Sequence, residues 1–200
     1  MKLFIFDMGK VVVTNLHINQ GMADELGVDL KTFREDYWIY DRALMEGWMS
    51  PEAYYRHLEI KFGKPVRRDL ARRHFNPVPN GPLLSAVSRL RARGYRCVIG
   101  SNTFAPHWEK MQEEFSGTLG CFDRCYPSYL MHRAKPDASF FRYIQQEEGL
   151  PFSEMAFIDD RWDNIVTAEK LGITTLFYSG DGLEERTKEF FRPYLSRDLT

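Results

Sequence analysis

Short apolar runs that close on polar or turn residues recur along the chain, at Leu3–Phe6, Arg96–Gly100, Cys125–Leu130, Met155–Ile158 and Thr174–Tyr178. Runs of this length suit buried strands. Between them the apolar positions change to a helical period. Pro82–Arg93 carries Leu83, Leu84, Val87 and Leu90 and stops at Gly94, a residue suited to a left-handed C-cap. Ala138–Glu148 stops at Gly149, with Asp137 placed to cap its start, and Asp163–Leu171 stops at Gly172. Strands alternating with helices of this length predict an α/β fold, a Rossmann-like parallel sheet covered by helices on both faces.

Residues 15–79 break the rhythm. They show no strand pattern but several helical stretches, at Lys31–Trp38, from Ser50 to a stop near Gly63, and at Arg67–His74. Ser50-Pro51-Glu52 supplies an N-cap, a proline at the first helical position and an acidic first turn. The segment closes on the turn-rich "NPVPNGP" of residues 76–82. The expected organisation is a core from residues 1–14 and 80–200 with a helical cap, 15–79, inserted after the first strand.

The totals narrow the class. With 200 residues, 44% hydrophobic, the chain can bury a sizeable core. Its 27 basic and 28 acidic residues balance, which argues against a nucleic-acid or membrane-surface binder. No apolar stretch approaches the ~20 residues of a membrane span. Asp7 and Lys10 interrupt the first apolar run, so it does not read as a signal peptide. Cys97, Cys121 and Cys125 suit a reducing, cytoplasmic setting, as buried thiols rather than a disulfide framework or, with His132, a zinc site. The tail after Gly182 reads as a helix with an apolar side, able to pack on the core or on a second subunit, so a monomer or homodimer is expected.

In a parallel α/β sheet, ligands gather beyond the carboxyl ends of the strands. Asp7 follows the first strand and Ser101, Asn102 and Thr103 the second, while Lys135 lies beyond the third and Asp159 and Asp160 follow the fourth. Three clustered carboxylates repel one another unless a cation neutralises them. An all-oxygen site of this kind suits Mg²⁺, which would also polarise a phosphoryl oxygen. A carboxylate such as Asp7 can attack phosphorus to give an aspartyl-phosphate. Ser101, Asn102 and Lys135 would hold the equatorial oxygens. Asp163 is expected to do no more than cap its helix, and Asn164 to pack in the first turn.

In order, "FIFDMGKVVV", "VIGSNT", "AKPD" and "AFIDDRWDNIVTAEKLGI" resemble the motifs of the haloacid dehalogenase-like hydrolase superfamily. The position of the insert is that of the helical cap of the family's first type. Among subgroups the chain most resembles small sugar-phosphate phosphatases, including bacterial α-glucose-1-phosphate phosphatase. The resemblance implies Asp7 as nucleophile, with Ser101, Asn102 and Lys135 on the phosphate. It implies Asp160 as metal acid with Asp159 beside it, and the backbone carbonyl of Gly9 on Mg²⁺. It therefore implies a Mg²⁺-dependent phosphatase acting on a small phosphorylated metabolite.

Position 9 departs from the family. Most of its phosphatases carry there a second aspartate that donates and accepts protons, and glycine has none to give. General acid catalysis is worth about 10²–10⁴ in rate. Either the leaving group has a low pKa or the cap or water supplies the proton. A metal-independent dehalogenase would tolerate Gly9, since halide leaves unprotonated, but has no use for the adjacent Asp159 and Asp160. A non-catalytic phospholigand binder would not need Asp7. The cap is aromatic, and although most of its rings must form its own core, Trp38 and Tyr40, with Asp41 and Arg42, are expected to face the cleft and select the substrate. His17 and His107 are expected no closer than the rim.

Overall fold

The first apolar run becomes the central strand of the sheet. The structure, a computed structural model, describes residues 1–196. In chain order the elements are β1 (Leu3–Phe6), β2 (Val13–Thr14), α1 (Ile18–Leu26), α2 (Leu30–Met45), α3 (Pro51–Phe62) and α4 (Leu70–His74). Then follow β3 (Val78–Pro79), α5 (Gly81–Ala92), β4 (Arg96–Ser101), α6 (Ala105–Glu114), α7 (Ser116–Leu119) and β5 (Arg124–Pro127). The chain continues through α8 (Ser128–Met131), α9 (Ala138–Glu148), β6 (Met155–Asp159), α10 (Trp162–Lys170), β7 (Thr174–Phe177) and α11 (Leu183–Leu195).

The main sheet is parallel throughout, in the order β5-β4-β1-β6-β7. Phe6, at the end of β1, lies opposite Ile99 of β4 and Ile158 of β6, so the residues following all three strands emerge at one edge. Successive side chains of a strand point to opposite faces. Accordingly Phe4 and Phe6 join one cluster with Val87, Leu90, Ile99 and Phe191. Leu3 and Ile5 join another with Phe140, Phe141, Ile144 and Ile165. Each fully buried large side chain contributes about 1.5–3 kcal/mol to folding, and helices α5 and α11 cover one face while α9 and α10 cover the other.

Helices α1–α4 surround a separate cluster, including Met22, Leu26, Phe33, Tyr54, Leu58 and Leu70, to which Phe104 of the core adds its ring. Asp36 is buried inside this cap, where His57 Nε2 (2.9 Å) and Lys61 Nζ (2.6 Å) bond it. The cap's entry and exit are tied by the antiparallel pair β2–β3, with Val13 opposite Pro79, and by the Asn80 side chain, whose Nδ2 donates to Val11 O at 2.8 Å. The C-terminal end of α2 is fastened to the core by Ser128 Oγ donating to Met45 O, by His132 Nδ1 donating to Glu46 O, and by an Arg42–Asp137 ion pair.

Several expectations need correction. The run from Cys125 to Leu130 is a strand only to Pro127, because proline ends the ladder and α8 begins at Ser128. The segment 15–79 does contain a strand, Val78–Pro79, too short for any periodicity to reveal. Helix α2 runs on to Met45 rather than ending at Trp38, since no glycine or proline interrupts it, and α4 begins only at Leu70. Asp137 makes no capping bond, its carboxylate being engaged by Arg42. Asp163 sits in the first turn of α10 rather than at its cap and pairs with Arg161. Of the three thiols only Cys97 is buried, and Cys121 and Cys125 are half-buried. The tail forms α11 as far as Leu195, and its last residues, 197–200, lie outside those described. Among the described residues no helix is long and apolar enough to cross a membrane.

Candidate active site

The core side chains of the site lie at or just beyond the ends of β1, β4 and β6, except Lys135, which lies in the loop between α8 and α9. Asp7 leaves β1 and donates its amide to Ile158 O (2.8 Å), which fixes it beside β6. Gly100 in β4 leaves no room for a side chain, since a Cβ would lie 2.9 Å from Ile5 Cγ2. Its carbonyl accepts from Lys135 Nζ at 2.8 Å. The same ammonium donates to Asp7 Oδ1 at 2.6 Å and to Asp159 Oδ2 at 2.7 Å, so all three of its protons are used. It lies 5.3 Å from the ring centroid of Phe157.

The four charges differ in exposure. Side chains of Lys135 and Asp159 are 1% and 0% exposed, whereas Asp7 and Asp160 each keep 12%. The first two therefore form a support behind the other two, which open on the cavity. Asp159 is fully engaged: besides Lys135 it accepts from Arg161 N (2.8 Å) and from Asn164 Nδ2 at 3.0 Å on both oxygens. Asp160 has one ion-pair partner among the described residues, the exposed Lys10, at 3.2 Å.

Burial and the neighbouring Asp159 and Asp160 charges outweigh Lys135 and push the Asp7 carboxyl up to about 7. Against the lowering effect of burial, Asp159 and Asp7 hold Lys135 above the ordinary lysine value. One oxygen each from Asp7, Asp159 and Asp160 lie within 4.8 Å of one another. A divalent cation fits such a donor set, because it would relieve the repulsion that Lys135 leaves. A further oxygen acceptor, Asn164 Oδ1, is buried there without a partner.

Asp7, Lys135, Asp160 and Asn164 line a cavity of about 300 Å³ between core and cap, with Asp159 buried behind them. Ser101, Thr103 and His107 border it, as do Gly9, Leu16, Tyr37, Asp41, Met45, Phe75 and Arg161. Thr103 Oγ1 and His107 Nε2 are also buried and unpartnered. A buried polar atom without a partner costs about 1–3 kcal/mol, so together these atoms mark where a polar ligand belongs. Burial between Phe75 and Phe104 pushes the His107 imidazole down to about 3, so it stays neutral.

The structure brings Asp7, Gly9, Ser101, Asn102, Lys135, Asp159 and Asp160 to one place. Asn102 is there in an altered capacity: its side chain donates to Lys135 O (2.8 Å) and accepts from Lys135 N (2.9 Å), so it ties down the lysine loop. Trp38 and Tyr40 are not at the cavity. Trp38 is 69% exposed, and Tyr40 packs on Tyr54 and His57 inside the cap. Their helical neighbours Tyr37 and Asp41 hold the cavity wall instead. His107 lies inside the site rather than at its rim. Asn164 orients Asp159 instead of merely packing, a role that the spacing in "DDRWDN" could have suggested.

Known proteins resemble this chain in sequence and in fold. The family model for haloacid dehalogenase-like hydrolases matches residues 1–172. The chain is similar to a sesquiterpene phosphatase of Aspergillus oryzae (strain ATCC 42149 / RIB 40), 26% identical over 183 residues, a match covering 88% of each chain. It is also 33% identical over 79 residues to a drimenol cyclase of Aspergillus calidoustus, covering 39% of this chain but spanning only 15% of that much longer relative. Among solved structures, a HAD family enzyme of Bacteroides thetaiotaomicron, in complex with magnesium and inorganic phosphate, superposes with a TM-score of 0.74 at 23% identity. That match covers 88% of this chain and 93% of the other.

Proposed function

Because the chain belongs to the haloacid dehalogenase-like hydrolase family, we propose that it is a Mg²⁺-dependent phosphatase that passes the phosphoryl group through Asp7. The observation that carries this reading is the Lys135 ammonium bonded at once to Asp7 and Asp159, with Asp160 open beside them on one cavity.

Asp7 is the nucleophile, with its free oxygen turned to the cavity while Lys135 holds the other. Asp160, the second exposed carboxylate, and the backbone carbonyl of Gly9 would hold Mg²⁺ together with Asp7. Asp159, saturated by its bonds, positions Lys135 and would reach the ion only at the expense of one of them. When bound, the ion neutralises phosphoryl oxygens and lowers the barrier to anionic approach. Ser101 and the backbone that follows it bind the remaining oxygens, and Lys135 steadies charge in the transition state. Asn102 acts by positioning Lys135.

A small phosphorylated metabolite with a hydroxylated, sugar-like leaving group fits the cavity. Thr103 Oγ1 and His107 Nε2 need hydrogen-bond partners that a wholly apolar chain, such as the sesquiterpene in the Aspergillus oryzae relative's name, does not offer. Leu16, Met45 and Phe75 would cover the sugar's apolar face.

Phosphate release from sugar phosphates and p-nitrophenyl phosphate, with Mg²⁺ and with EDTA, tests this. Release should require Mg²⁺ and fall to background in Asp7→Asn. Release of halide from a haloacid that ignores EDTA would make the protein a dehalogenase instead. Phosphate release that survives Asp7→Asn would remove Asp7 as nucleophile.

A further inference from the structure

Glycine at position 9 leaves the reaction without a proton donor next to Asp7. A Cβ there would lie 3.8 Å from Asp7 Oδ2 and 3.3 Å from Leu16 Cδ1, so position 9 faces the reacting carboxylate and Leu16 borders the space an acid would fill. For an ester whose leaving group needs a proton, a group on the cavity is the natural donor, and most fail on inspection. Lys135 has all three protons engaged by Asp7, Asp159 and Gly100. Arg161 is paired with Asp163, and Lys10 is an exposed partner of Asp160. Tyr37 is pushed well above the ordinary phenol range and His107 far below the ordinary imidazole range, so neither is a useful acid near neutrality.

Asp41 remains. It lies one helical turn after Tyr37 on α2, on the cap wall of the cavity that Asp7 lines from the core. Burial raises its carboxyl above the ordinary range, opposed by a hydrogen bond from Tyr37 and by the Arg161 charge across the cavity. Tyr54 is the other titratable group close enough to feel its charge.

We propose that Asp41 is the general acid and base of the phosphatase reaction, supplying from the cap the proton that residue 9 cannot. The proposal rests on the phosphatase reading above. As Asp7 Oδ bonds to phosphorus, the bond from phosphorus to the ester oxygen breaks, and that oxygen takes the Asp41 proton and leaves as the alcohol. Water then attacks phosphorus and gives a proton to the Asp41 carboxylate. The phosphorus–Asp7 bond breaks with its electron pair returning to Asp7, leaving inorganic phosphate and a protonated Asp41. Because α2 is tied to the core at its C-terminal end by Arg42, Met45 and Glu46, the acid is held over the site by the fold.

The leaving-group dependence of Asp41→Asn tests this, measured with Mg²⁺ as alcohol released in the first turnover. On alkyl phosphates, whose alkoxides need a proton, the variant should lose about 10²–10⁴-fold. On p-nitrophenyl phosphate, whose phenolate leaves unaided, it should lose less than tenfold, which also shows that it is folded. An equal loss on both substrates, or none on either, would overturn the proposal while leaving the phosphatase intact. A wild-type protein inactive on both would instead overturn the phosphatase reading, and the proposal with it.

Discussion

Replacing Asp7 by asparagine should stabilise the metal-free protein, increasingly so as pH rises. Asparagine keeps the shape of the side chain and an oxygen for Lys135, but removes one of three carboxylate charges packed beside one ammonium. Burial and the Asp159 and Asp160 charges raise the Asp7 carboxyl from its ordinary 3.8 to about 7. A carboxyl that binds its proton more tightly folded than unfolded makes stability fall with rising pH between those two values. Its contribution is complete below pH 3.8 and lost above about pH 7. At 1.36 kcal/mol per tenfold change, that interval amounts to about 4 kcal/mol, of which about 2–3 kcal/mol falls between pH 5 and pH 8.

Urea unfolding of wild type and Asp7→Asn in EDTA, from pH 5 to pH 8.5, measures this directly. The variant should gain stability relative to wild type across that range, and saturating Mg²⁺ should erase the gain by stabilising wild type selectively. A difference that stays flat with pH would mean that Lys135 already holds Asp7 ionised at pH 5. The charge repulsion invoked to explain metal binding would then be absent.

Two further substitutions follow from the same structure. Asp36→Ala removes the acceptor shared by His57 and Lys61, and should cost about 1.5–3 kcal/mol in urea unfolding, less than a fully buried pair because the Lys61 head can reach water. Gly9→Asp placed in the Asp41→Asn protein should restore part of the alkyl phosphate turnover, read as initial rates with Mg²⁺, and unchanged rates would show that residue 9 does not face the leaving group.

The site was legible in the sequence wherever its chemistry follows a strand end. Asp7, Ser101 and Asp160 lie at or just past the ends of apolar runs, where a parallel sheet gathers them without further information, and Lys135 follows the third run after the short helix α8. The cap was less legible because a helix must be phased before its inward face is known. With Asp29 capping Thr32 N and α2 starting at Leu30, the face defined by Phe33, Tyr37, Asp41 and Leu44 turns inward and Trp38 turns out. The short helix expected at Lys31–Trp38 ended before this repeat could be followed. The α2 sequence is also strongly charged, which dilutes the repeat further. Asn102 illustrates a different obstacle: its use depends on Lys135, 33 positions later, and no local pattern encodes which of two polar neighbours a side chain will choose.

Position 9 joins both limits. That glycine cannot carry a proton is plain from one letter, but the reason the protein tolerates it lies in residues brought up by folding. Leu16 Cδ1 stands 3.3 Å from where a Cβ would be, and Asp7 Oδ2 stands 3.8 Å from it. Asp41 enters the same cavity from the opposite wall. Moving the acid from the core loop to the cap changes what controls the reaction, because proton transfer then requires α2 to be seated on its core contacts. In such an arrangement a substrate is activated only when the cap is seated, and an acid returned to position 9 needs Leu16 Cδ1 to give way by only a few tenths of an ångström.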